Sequence, residues 1–307
     1  MRLVFLGTSA FACPALTALA KVHEVALVIT QPDRPAGRKR ELKSPAVKVE
    51  AARLGLSIAQ PERINDDEGL ELLRKADPEA IIVASYGQIL RQAVFSLPSC
   101  GTINIHASLL PRFRGAAPIN WAIIRGEEKT GITTFLIDEG MDTGKILIKR
   151  VLAIGKDETA GELHDRLATL GAKVILDTLA GIENGTLKPT LQEEEAASLA
   201  PKLTRKDGRI DWGKSAQEIH DQVRGLNPWP SAFAYLGNER VKVHRTAITK
   251  VGCGDTLSGE ITLRETGRLL VGTKDELIEI LEVQRESRPR MSGRDFLNGL
   301  RGEARFS

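Results

Sequence analysis

Asn104 and His106 stand two residues apart in the run GTINIHA, residues 101–107. On a strand, that spacing turns both side chains to one face. A carboxamide and an imidazole on one face can hydrogen-bond to a single developing charge. The same pair can also do no more than satisfy buried backbone groups. Downstream, IDEGMDTGKIL (137–147) places Asp138 and Asp142 in a loop punctuated by Gly140 and Gly144. Glycines at such points imply unusual backbone angles or close approach. The acidic spacing is not that of a calcium loop, because no Glu closes it. A carboxylate held near an imidazole is an arrangement for acid–base work, which makes Asp142 the candidate partner of His106.

Other chemistries find less support. The three cysteines, Cys13, Cys100 and Cys253, are widely spaced, with no CxxC or Cys/His pattern. That disfavours a zinc site or a disulfide framework and suits a reducing compartment. No metal is expected. A strand followed by GTSAF (7–11) suggests a dinucleotide fold, but Ser9 stands where the second fingerprint glycine belongs and the second strand ends in Thr30, not in an acid. A nicotinamide-dependent oxidoreductase is therefore disfavoured, and Gly7 reads as a tight strand-to-helix turn.

The elements that must position these residues can be read in order. Apolar runs at 3–6, 25–29, 80–84 and 101–107 are strands, and 11–20 and 116–125 have helical composition. This is the opening of a Rossmann-like, open and mostly parallel α/β sheet, whose sites form at the carboxyl ends of strands. Residues 131–137 and 145–154 read as a strand pair around the Gly-rich loop. Leu163, Leu167, Leu170, Val174, Leu179 and Ile182 mark a long helix over 159–184. The texture then changes: Pro189, an acidic run at 193–195 and Pro201 show no period. The expected division is a catalytic domain over 1–185, a linker over 186–202 and a smaller C-terminal domain over 203–307. A helix at 215–224 is followed by short strands near 231–236, 240–249, 259–263, 268–272 and 277–283. That series predicts a small β-barrel of OB-like type. Ser292 is the expected N-cap of a closing helix.

The net charge of +3 permits a nucleic-acid partner without requiring one. Basic residues do cluster. Arg34, Arg38, Lys39, Arg40 and Lys43 fall between Thr30 and Lys48, where Pro32, Pro35 and Gly37 argue against regular structure. Such a run is either a solvated face or a substrate-gripping loop. In ERVKVHRT (239–246), alternation puts Arg240, Lys242 and His244 on one face and Val241 and Val243 on the other. Arg285, Arg288 and Arg290 form a second cluster, and Trp229 between Pro228 and Pro230 reads as structural.

Asn104-x-His106, then Ser108-Leu109-Leu110-Pro111, then Asp142-Thr143-Gly144 resembles the signature of the folate-dependent formyltransferases. Phe113 stands where that pattern leads one to expect Trp, and it keeps the aromatic ring. Residues 30–48 and 208–233 resemble the basic loop and the start of the C-terminal domain in the branch whose acceptor is methionyl initiator tRNA. The resemblance covers essentially the whole chain. It implies formyl transfer from 10-formyltetrahydrofolate to the α-amino group of that tRNA, in translation initiation, with folate and tRNA as the binding partners. Asn104, His106 and Asp142 would be catalytic, and Ser108, Leu109, Leu110 and Pro111 would line the folate site. Tyr86 and Gly87, in VASYGQIL (83–90), would form another wall or merely a strand-to-helix turn. Arg38, Lys39, Arg40, Arg240 and Lys242 would grip tRNA. A monomeric cytoplasmic enzyme is expected. The alternatives are a nucleotide-amino-sugar N-formyltransferase, which needs no basic barrel face, and a non-catalytic RNA-binding relative, which would not need Asn104, His106 and Asp142 intact.

Overall fold

Strands form where β-branched and aliphatic runs meet turn residues: β1 (Arg2–Gly7), β2 (Glu24–Ile29), β3 (Arg34–Ala36), β4 (Glu41–Lys43), β5 (Ile58–Ala59), β6 (Ala80–Ala84), β7 (Thr102–His106), β8 (Lys129–Leu136) and β9 (Ile146–Ala153). The computed structural model describes residues 1–36, 41–262, 267–300 and 304–307. Seven of these strands build one sheet in the order β5-β2-β1-β6-β7-β8-β9. From β5 to β7 the pairing is parallel, and β8 runs antiparallel to β7. Leu3, Val4, Phe5 and Leu6 are all fully buried, as a parallel strand covered on both faces requires. The helices of the first half are α1 (Cys13–Val22), α2 (Ala46–Arg53), α3 (Asp67–Ala76), α4 (Gln92–Phe95), α5 (Pro118–Ile124) and α6 (Ala160–Glu183). Ala15, Leu16 and Leu19 of α1 are buried at helical spacing.

The region 30–48 departs from the irregular structure expected of it. Its two short strands pair as a hairpin, with Arg34 opposite Lys43 and Pro35 opposite Leu42. A two-stranded ribbon is all edge, so a proline without an N–H costs it no inner ladder bond. Asp33 anchors the stem, accepting from Lys48 Nζ at 2.7 Å, Gln60 Nε2 at 2.9 Å and Ser44 Oγ at 3.1 Å. Those bonds, led by Lys48, hold its carboxyl below its ordinary value. Arg38, Lys39 and Arg40 lie outside the described residues.

The chain forms two compact units that interleave in sequence. One comprises Met1–Gly115, Thr130–Leu152 and His164–Leu199; the other comprises Ala116–Lys129, Ala153–Leu163 and Ala200–Ser307. The second contains α7 (Ala216–Gly225), β10 (Ala232–Leu236), β11 (Glu239–Gly252), β12 (Ile261–Thr262), β13 (Leu270–Gly272), β14 (Glu276–Arg285), β15 (Arg290–Ser292) and α8 (Gly293–Asn298). Both helix starts are capped: Ser215 and Glu218 close a reciprocal box on α7, and Ser292 accepts from the Asp295 N–H on α8. The strands are antiparallel in the order β10-β11-β14-β13-β12. The last residues of the chain link the two outer strands. Tyr235 and Ser307 exchange backbone bonds at 2.8 Å, and Ile261 N–H donates to Ala304 O at 2.9 Å. Among the described residues, these bonds bridge the two ends of the strand order and close the sheet toward a small barrel.

One reading of the barrel surface is corrected. The register between β11 and β14 shifts between Val243 and Arg245, so strict alternation fails there. His244 is 2% exposed, so it adds no accessible group to the basic face beside Arg240 and Lys242. Its Nε2 faces Gln284 Oε1 at 3.1 Å, and burial pushes its pKa down.

Candidate active site

The carboxyl ends of β1, β6 and β7 lie side by side in the sheet, and each carries polar residues just beyond the strand. Ser9 Oγ donates to Ser85 Oγ at 2.8 Å, and Thr8 Oγ1 donates to Tyr86 O at 2.7 Å. Gly7 itself must be glycine, because a Cβ there would stand 2.7 Å from the Phe5 ring. Asn104 and His106 share a face of β7, opposite Phe135 and Thr133 of β8. The Asn104 carboxamide is half-buried and makes no hydrogen bond among the described residues. His106 is buried against the edge of the Phe135 ring, at 6.3 Å between centroids.

The two nitrogens of His106 have different partners. Nε2 lies 2.9 Å from the Phe113 carbonyl, which can only accept, so Nε2 carries the proton. Nδ1 lies 3.6 Å from Asp142 Oδ2. In the neutral ring Nδ1 is therefore a bare lone pair facing a carboxylate, open to a proton from a reacting group. This changes the role open to His106. A neutral ring cannot donate to an oxyanion here, because its one N–H is taken by Phe113. The geometry leaves the Asn104 carboxamide able to donate there, and His106 Nδ1 able to accept a proton and then pair with Asp142.

Asp142 is fixed from several sides. Its backbone has φ +57°, the left-handed region that costs a non-glycine residue energy unless its surroundings hold it. The Gly115 N–H donates to Asp142 Oδ2 at 2.8 Å. Gln192 Nε2 donates to both Asp142 O and Gly144 O, each at 2.8 Å. Gln192 Oε1 in turn accepts from Arg114 Nη2 at 2.8 Å and Nε at 3.2 Å. Arg114 also forks onto Glu194, at 2.7 and 2.8 Å. Glycine is required at 144, since a Cβ would fall 1.7 Å from Leu136 O. Neighbouring Asp138 serves the turn, accepting from Thr143 Oγ1 at 2.6 Å and the Gly140 N–H at 3.1 Å.

The remaining expected site residues divide. Ser108 is fully buried and its hydroxyl donates to Arg112 O at 2.6 Å. Leu110 is fully buried in a cluster with Phe135 and Ile146, and its N–H donates to Thr133 Oγ1 at 3.2 Å. These two side chains build the loop rather than face a ligand. Leu109 and Pro111 are half-buried. Tyr86 is a core residue, packed among Ile64, Leu73, Val83 and Leu90, and its burial pushes the phenol up to about 12. Gly87, with φ +92°, is exposed at the turn that follows. On the barrel, Arg240 stacks over Phe233 at 5.2 Å, and Phe233 lies directly across from Lys242. Arg285 and Arg290 are paired, with Glu239 and Glu282. Sequence reasoning missed Gln192. It lies in an acidic stretch without period, where nothing marks one glutamine from its neighbours.

The comparisons with known proteins agree with this geometry. Residues 1–179 match the formyl transferase model, and residues 202–301 match the model of the formyl transferase C-terminal domain. A methionyl-tRNA formyltransferase of Solibacter usitatus is 47% identical over 98% of this chain and 96% of its own. One of Acidobacterium capsulatum is 46% identical over 97% of this chain and 96% of its own. Among solved structures, the sugar 3N-formyl transferase WlaRD has a TM-score of 0.69 at 19% identity, covering 94% of this chain and 99% of that one. The methionyl-tRNA formyltransferase from Clostridium thermocellum has a TM-score of 0.55 at 20% identity, covering 81% and 94%. At that identity, both structures speak to the fold. With both halves matched and close relatives similar along nearly their whole length, the chain belongs to the formyl transferase family, in its methionyl-tRNA formyltransferase branch.

Proposed function

We propose that this enzyme transfers the formyl group of 10-formyltetrahydrofolate to the α-amino group of methionyl initiator tRNA. The observation that carries this reading is the pairing of His106 Nδ1 with Asp142 at 3.6 Å, on a strand whose same face holds the half-buried Asn104 carboxamide. The α-ammonium first loses one proton to solvent, and its nitrogen gives up the second to the lone pair on His106 Nδ1 as it attacks. Asp142 then faces the imidazolium and stabilises its charge. The amine attacks the formyl carbon, a new C–N bond forms, and the carbonyl oxygen becomes an oxyanion. Asn104 donates to that oxygen, a contribution of about 3 kcal/mol when the donor is preorganised. The oxyanion collapses, the bond to the folate nitrogen breaks, and His106 returns its proton to that leaving nitrogen. No step needs a covalent enzyme intermediate.

The loop over 108–111 and the turn at Tyr86 and Gly87 flank the same strand ends, which supports a folate site there. With Ser108, Leu110 and Tyr86 turned inward, its polar contacts would come from backbone groups, which suit a flat pterin edge. Arg38, Lys39 and Arg40, between β3 and β4 in sequence, and Arg240 and Lys242 on the barrel would meet tRNA phosphates. The enzyme would work as a cytoplasmic monomer. No helix among the described residues is long and apolar enough to cross a membrane. Formyl transfer to methionyl-tRNA, free methionine and an amino-sugar nucleotide, measured side by side, tests the reading. Turnover with methionyl-tRNA alone is expected. Preferred transfer to the sugar nucleotide would overturn the acceptor, and no transfer to any of the three would overturn the reaction.

A further inference from the structure

Gln192 closes a ring of contacts around Asp142. Starting from Gly115, its N–H donates to the Asp142 carboxylate, and the Asp142 backbone carbonyl accepts from Gln192 Nε2. Gln192 Oε1 accepts from the Arg114 guanidinium, and Arg114 is covalently joined to Gly115. The same segment ties the other site loop. Ser198 O accepts the Arg114 N–H at 2.8 Å, and the Ser198 N–H donates to Pro111 O at 3.3 Å. Its register on the sheet is set by Thr190, which exchanges backbone bonds with Ile146.

Each component of this ring suits a holding role. Arg114 is buried, so its charge requires partners, and the bidentate pair with Glu194 supplies them. A buried guanidinium so held cannot drift, and it presents two N–H groups to a single oxygen of Gln192. That fixes which end of the carboxamide faces the loop: the NH₂ end, against two carbonyls. Asp142 sits in the left-handed region, which Asp adopts more readily than most residues, and the contacts of the ring hold both its backbone carbonyl and its carboxylate.

We propose that Gln192, locked by Arg114, is a positioning residue that holds the Asp142 carboxylate against His106 Nδ1. The inference rests on the reading of Asp142 given above. Gln192→Glu is the sharpest test. It keeps the shape and the acceptor for Arg114 but sets a carboxylate oxygen against two backbone carbonyls. The expected result is a fall in kcat of about tenfold to a hundredfold, as for a reacting group displaced by about an ångström. KM for the folate and for tRNA should stay unchanged. Gln192→Met, which adds no charge, should lower kcat in the same direction and serves if the Glu variant fails to fold.

A double-mutant cycle with Asp142→Asn separates positioning from general support. If Gln192 acts through Asp142, changing it in the Asp142→Asn background costs little more. Equal losses in both backgrounds would overturn the inference, as would normal kcat in both Gln192 variants beside a crippled Asp142→Asn enzyme. In those cases the reading of Asp142 survives. Normal turnover in Asp142→Asn itself would sink that reading and this inference together.

Discussion

His106 gives its one ring proton to the Phe113 carbonyl and turns its bare Nδ1 toward the Asp142 carboxylate, 3.6 Å away. The gap is longer than a hydrogen bond. A proton on Nδ1 would point into that gap, with the carboxylate on its far side. The backbone carbonyl fixes the tautomer, and Phe113 itself is held at φ +62° with its N–H donating to Ser198 Oγ at 3.0 Å.

Removing either partner should therefore cost turnover and spare the fold. His106→Ala and Asp142→Asn are each expected to lower kcat by about a hundredfold or more, the range for a lost acid–base group. Asn tolerates the left-handed backbone at 142 and can still accept from Gly115. Single-turnover formyl transfer by the purified variants, with melting curves alongside, is the measurement. Near-normal rates in Asp142→Asn would remove that carboxylate from the chemistry.

Neutralising Arg38, Lys39 and Arg40 together should raise the apparent KM for tRNA and leave folate affinity unchanged. Each lost phosphate contact should reduce the slope of log K against log salt by roughly 0.7 to 0.9. A fall in kcat as well would show that these residues orient the amine rather than only attract charge. Replacing Arg240 and Lys242 should weaken tRNA binding with little change in kcat. Wild-type salt dependence in both sets would reduce the clusters to solvated surface.

Glu50 predicts a signature in acid. Its carboxylate accepts from Arg53 at 2.7 and 2.9 Å and from the Thr17 hydroxyl, joining α2 to α1. These bonds, Arg53 foremost, hold it well below its ordinary value of 4.5, at about 2. A carboxyl depressed in the folded state contributes stability that is complete above about pH 4.5 and is lost as pH falls toward about 2. Glu50→Gln should lower the urea midpoint at neutral pH, and its difference from the parent should shrink across that window. A difference that stays constant down to acid would mean the charge plays no part.

The sequence by itself determined most of the elements and which residues are brought to one strand face. Aliphatic runs with turn residues at their ends specified the parallel strands, and strand periodicity put Asn104 and His106 on one face. Local signals also sufficed for the helix starts at Ser215 and Ser292, because a cap and its N–H groups lie within one turn of chain. Only the tertiary structure decided what depends on partners far along the chain. The tautomer of His106 is set by a carbonyl on a neighbouring loop. Ser108, Leu110 and Tyr86 are committed to the interior by residues distant in sequence. The burial of His244 and the register shift beside it depend on the neighbouring strand, invisible to alternation within one. Gln192 is the sharpest case. Its role comes from bonds to Arg114 and Asp142, 78 and 50 residues away, and a stretch with no period carries no trace of them. Periodicity records which face of an element is buried, whereas a side chain's bond to a distant loop is written only in the packing that brings the two together.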